Sequence, residues 1–154
     1  MAASVDINDR AGLNLLLNAL QPGSIAAWGN LAAQNMIEHL IEAVEYTNGK
    51  RTGELAFSEE EAYKQKQFCV HSDFVTPAGV KGYLSDAMIG TRYKDIPTAI
   101  EAFNKALHAF DLFFKPADRT AIHQAFGPMD YQEWITWHGK HFAHHFRQFG
   151  LINW

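Results

Sequence analysis

A chain of 154 residues, 47% hydrophobic and 19% charged, is long enough to bury well over half of its unfolded surface in one core, and it reads as a single domain over residues 1–154. Its 13 basic residues against 17 acidic ones leave a net charge of −4 with no basic cluster longer than Lys50-Arg51, which excludes the electrostatic footprint of a nucleic-acid binder. No apolar run approaches the ~18 residues of a membrane span and no basic stretch followed by an apolar one opens the chain, so a cytoplasmic protein with no membrane partner is expected; the lone Cys69 excludes an internal disulfide and reads as a small buried hydrophobe.

The first periodic segment runs from about Ile7 to Leu20, with Asn8 or Asp9 as its N-cap and Leu13, Leu16, Leu17 and Leu20 on one stripe, and Gln21-Pro22-Gly23-Ser24 stops it. A second helix is expected to open at Asn30 and to carry Leu31, Met36, Leu40, Ile41 and Val44 as far as the Asn48-Gly49 stop. Residues 49–95 predict irregular structure, loop-like around Pro77, Gly79 and Gly82, broken by one short helix from the capping box of Ser58 and Glu61 to about Phe68. Pro97 starts a third long helix with Ile100, Phe103, Leu107 and Phe110 in helical period, and Lys115-Pro116 ends it. The last helix follows the Asp130-x-x-Glu133 cap and runs to about Phe149. Four long helices without strand alternation predict an all-α bundle with an irregular insertion between the second and third of them.

The composition is otherwise marked by aromatic bulk and imidazole, with 11 Phe, 4 Trp and 8 His. Four of the histidines fall within Trp137-His138-Gly139-Lys140-His141-Phe142-Ala143-His144-His145, and His141 and His145 stand four apart. On a helix that spacing stacks two imidazoles about one turn apart on one face, close enough to share a cation. Trp134, His138, His141, His145 and Gln148 share the sector, with His144 off to the side. A single core-facing histidine is usually a hydrogen-bonded core residue, but two at this spacing point to metal ligation, and a catalytic metal typically has about three protein ligands and an open position. His39, bordering the stripe of Ala32, Met36, Leu40 and Ala43 on the second helix, is the third ligand of choice; His108 and His138 compete with it, whereas His71 and His123 lie in loop-like stretches without such an argument.

Two segments carry a family resemblance. Trp28-Gly29-Asn30-Leu31-Ala32-Ala33-Gln34-Asn35-Met36-Ile37-Glu38-His39-Leu40 resembles the start of the second helix of the DinB/YfiT-like superfamily, and Phe126-Gly127, Glu133-Trp134 and His141 to Gly150 resemble its final helix, with a His-x-x-His-His-x-x-Gln pattern. The likeness is strongest to a branch known as a domain of unknown function. It implies a four-helix bundle, a mononuclear nickel or zinc ion on His39, His141 and His145, and frequent homodimers. Characterised members are mostly transferases or isomerases that use a low-molecular-weight thiol. Nothing in the chain reads as a thiol-cofactor motif, so the fold alone does not carry the reaction over.

Three neutral imidazoles would leave a divalent ion its full charge, able to turn a bound water into a hydroxide nucleophile or to hold a thiol as thiolate. The expectation is therefore a metal-dependent thiol transferase, isomerase or hydrolase acting on a small molecule. Gln148 and His138 are placed to orient a ligand or the substrate, while Glu38, about 100° round the helix from His39, is a weaker candidate for a general base. Trp134, Trp137, Phe142 and Phe149 either wall an apolar pocket or pack the core. The rival expectation is a non-catalytic bundle that binds a small ligand or partner and keeps the metal as a structural clamp.

Overall fold

The described residues, 4–80 and 90–154 of a computed structural model, form five helices and one small sheet. In chain order these are α1 (Arg10–Leu17), α2 (Ala33–Glu45), α3 (Glu59–Cys69), α4 (Ile96–Phe113), β1 (Ala121–His123), β2 (Gly127–Met129) and α5 (Tyr131–Gln148). Gly82 lies outside the described residues. The capping boxes read from the sequence are both present: Ser58 with Glu61 opens α3, and Asp130 with Glu133 opens α5. Asp9 caps α1 by accepting from the Gly12 backbone N–H at 2.9 Å, and Asp95 caps α4 by accepting from Thr98 at 2.9 Å, with Pro97 in the first turn where its missing N–H costs nothing.

The sequence places the start of α2 too early. Asn30 does not cap it; the helix opens at Ala33 behind Ala32, which has no side-chain capping bond. Burial takes over that role, because ten of its 13 residues are buried, and packing of an amphipathic face outweighs a cap. The first helix is also shorter than its apolar period: Ile7 and Leu20 are buried, yet both lie outside α1. Helix α2 packs on α4 and α5, and α1 packs on α4. Met36, Ile37, Leu40, Phe103, Leu107, Phe142 and Phe146 are all fully buried between them, with the Phe103 and Phe142 rings 5.4 Å apart.

The second difference is the hairpin. Ala121, Ile122 and His123 pair antiparallel with Met129, Pro128 and Gly127. Strands of three residues are too short to display an alternation, so the sequence reads as a loop there. The hairpin rests on α5, where the Trp134 indole donates to the Ala121 carbonyl at 3.0 Å, and on α3. No helix among the described residues is long and apolar enough to cross a membrane.

Two long-range ties hold the irregular segments. Buried Glu45 accepts from Arg51 Nε and Arg92 Nη2, each at 2.7 Å, and from Lys50 Nζ at 3.2 Å. At the other end of the chain, the Val5 N–H donates to the Gly139 carbonyl at 3.1 Å, and a Cβ on Gly139 would meet the Val5 oxygen at 2.4 Å. Gly139→Ala is therefore expected to lower stability by about 1–3 kcal/mol despite the better helix propensity of alanine, as measured by urea unfolding. An unchanged midpoint would mean that the N-terminal segment does not pack there.

Candidate metal centre

Helix α5 delivers His141 and His145 one turn apart, and α2 delivers His39 from the side. The Nε2 atom of His141 lies 3.0 Å from His39 Nε2 and 3.1 Å from His145 Nε2. All three ligand atoms lie within 4.8 Å of one another, and their rings meet edge to face. Two nitrogens bound to one ion at ~2.0–2.1 Å, in adjacent positions, stand about 2.9–3.4 Å apart, so both spacings fit shared ligation. The donor chemistry fits as well, since neutral imidazole suits zinc and nickel alike.

The orientation of His145 is set from behind. Its Nδ1–H donates to Gln148 Oε1 at 2.7 Å, and the Gln148 amide nitrogen donates to the Trp28 carbonyl at 2.9 Å. Because the Trp28 carbonyl only accepts, the amide nitrogen must face it, and this turns the amide oxygen toward His145. His145 thus carries its proton on Nδ1 and presents a lone pair from Nε2 to the cluster. Gly29, at φ 75°, lets the chain turn past this amide, where a Cβ would come 3.1 Å from Gln148 Nε2. Gln148→Leu is expected to weaken metal binding by about 10–100-fold with all three ligands intact, measured by competition with a chelator. Equal affinity would remove the amide from the site.

Burial keeps His141 and His145 uncharged. It pushes His145 down to about 3, aided by the proximity of His39 and opposed by the Gln148 hydrogen bond. Burial also pushes His141 well below its ordinary value, with His145 and His39 adding to the effect. The uncharged form is the one that ligates.

The three nitrogens open onto a cavity of about 620 Å³ whose wall includes six of the eight histidines. His123 and His144 are the additions that the sequence does not announce. His144, assigned to the side of the sector, sits in the wall with its ring 5.0 Å from that of His145 and 5.6 Å from that of Trp28. His123, read as a loop residue, is brought in by β1; its Nδ1 accepts from the Ala125 N–H at 3.0 Å, and burial pushes it down to about 3. The hairpin was the missing signal, since only its register turns His123 inward.

His138 shares the wall one turn from His141. Thr47 Oγ1 gives its proton to the Val44 carbonyl at 2.8 Å and takes one from His138 Nε2 at 2.9 Å, which leaves His138 Nδ1 as a buried acceptor with no partner among the described residues. Burial, with His123 nearby, pushes His138 down to about 3. Trp134 and Trp137 wall the cavity, while Phe142 belongs to the core. From the irregular region, Cys69, Phe74, Thr76 and Val80 reach the cavity, and Cys69 is only half-buried instead of sealed in the core.

Glu38 stands elsewhere. Fully buried, it accepts from the backbone N–H groups of Arg92 at 2.9 Å and Tyr93 at 3.0 Å, and it fastens that loop to α2 instead of facing the cavity. The two other histidines are also outside the centre: His108 is exposed on α4, and His71 is exposed and hydrogen-bonds Glu133 at 2.8 Å. No family model, curated protein or solved structure matches the chain.

Proposed function

We propose that this protein is a divalent-metal-dependent enzyme that acts on a small molecule, with His39, His141 and His145 as the ligands and nickel or zinc as the ion. The observation that carries the reading is the convergence of three imidazoles at the wall of a cavity large enough for a substrate. When bound, a divalent ion acts there as a Lewis acid and lowers the pKa of a thiol or water, which suits thiol transfer, isomerisation or hydrolysis. Gln148 orients His145. The order of α1, α2, α4 and α5, with α3 inside the long connection between α2 and α4, supports a DinB/YfiT-like bundle.

A closed structural clamp is the rival. Only three ligand groups converge among the described residues, which favours a site with room for substrate over one sealed by a fourth ligand. Stripping the protein with a chelator and titrating back nickel or zinc tests the reading. One equivalent per chain, with hydrolysis or thiol transfer on a substrate panel returning in step and lost in His39→Ala, is expected; activity unchanged by metal would overturn the proposal.

A further inference from the structure

The wall of the cavity has a distinct chemical character. Away from the three ligands it is built largely of Trp28, Trp134, Trp137, Phe74, Val80 and Ile122, with amide and imidazole groups between them. Its volume of about 620 Å³ is in the range that encloses a drug-sized body. No Asp, Glu, Lys or Arg side chain appears among the described residues that line it. The cations carried by α5 are engaged elsewhere: Lys140 Nζ donates to the carbonyls of Cys69 at 2.9 Å and Ser72 at 2.6 Å, and Arg147 lies over the Trp154 ring and donates to Asn153 O.

We propose that the cavity selects an apolar molecule with a single anionic head, an arylalkyl or branched-chain carboxylate or thiolate, over polar molecules bearing several charges. The inference rests on the metal reading above. Three neutral ligands leave a dication uncompensated beside a largely apolar wall, where unpaired charge is costly, so an anion on its open side is strongly favoured. A second charge on the ligand would find no ammonium, guanidinium or carboxylate partner in the described wall and would be buried unpaired. His123 and His138, both held uncharged by burial, do not supply one. The rest of the ligand gains by covering indole and aliphatic surface.

Protein loaded with cobalt(II) as a spectroscopic stand-in tests this by tryptophan fluorescence and the cobalt d–d bands. The probes are 3-phenylpropanoate, acetate, 3-phenylpropanamide and phenylsuccinate, with 2-phenylethanethiol to compare a sulfur head with an oxygen one. 3-Phenylpropanoate is expected to bind at least about tenfold more tightly than acetate, than the neutral amide and than the dianion. Its advantage over the amide should vanish in metal-free protein. Trp137→Ala should weaken 3-phenylpropanoate more than acetate without lowering metal content. A thiol that perturbs the cobalt bands and outcompetes 3-phenylpropanoate assigns the head to sulfur and supports the same class. Metal uptake with acetate or phenylsuccinate binding as tightly as 3-phenylpropanoate overturns this inference alone, whereas a chain that takes up no cobalt, nickel or zinc overturns the metal reading and this one with it.

Discussion

Alanine at position 141 is expected to reduce affinity for nickel or zinc by on the order of a hundredfold or more, and to remove most of the stabilisation that the ion confers. The Nε2 atom of His141 lies 3.0 Å from that of His39 and 3.1 Å from that of His145, and its loss leaves two ligands on separate helices. In the intact protein, metal at about a thousand times its dissociation constant should add about 4 kcal/mol to the folded state. At roughly 2–4 °C per kcal/mol for a domain of this size, that is a rise in Tm of about 10 °C. At the same metal concentration a hundredfold-weaker variant should keep only about 1.4 kcal/mol of that stabilisation, roughly a third. Its metal-free stability should change little, because the substitution relieves the crowding of three imidazoles as well as deleting their contacts. Thermal melts with and without nickel separate these effects, and a full metal-induced shift in His141→Ala would contradict the assignment.

The second large effect is acid lability of the metal-free protein. His123, His138 and His145 ordinarily titrate at 6.5, and burial holds each near 3 in the folded chain. Between those values the unfolded chain binds protons that the folded chain refuses, so stability rises with pH across the window and falls as the solution is acidified. At pH 5 each group costs about 2 kcal/mol relative to neutral pH, and three of them approach the whole stability of an ordinary domain. Urea unfolding at pH 7.5, 6 and 5 should show a steep loss, with cooperative folding failing near pH 5. His138→Gln should flatten the slope by about one proton. Constant stability over that range would mean that the folded chain accepts these protons, and so that the cavity wall is open to water.

The parts of the structure that short-range rules govern are those legible in the chain. The Ser58 and Asp130 capping boxes each involve residues three apart, and both form as read. The spacing of His141 and His145 is likewise local, and His39 follows from its place beside the apolar stripe of α2. Gln148 is accessible to the same logic, standing one turn beyond His145. What escapes is set at a distance. Glu45 is buried because Arg92, 47 positions away, reaches it. Glu38 looks like a candidate base in the sequence until the N–H groups of Arg92 and Tyr93 claim it. His123 faces the cavity only through a hairpin whose strands are too short to leave a pattern, and α2 begins at Ala33 because packing, not a side-chain cap, fixes its start.

Anomalous diffraction from crystals of untagged protein grown with nickel tests the shared ligation most directly. One strong peak is expected about 2.0–2.2 Å from the Nε2 atoms of His39, His141 and His145, with its open side toward the cavity. Nickel bound instead at exposed His71 or His108, with the three rings hydrogen-bonded only to one another, would contradict it.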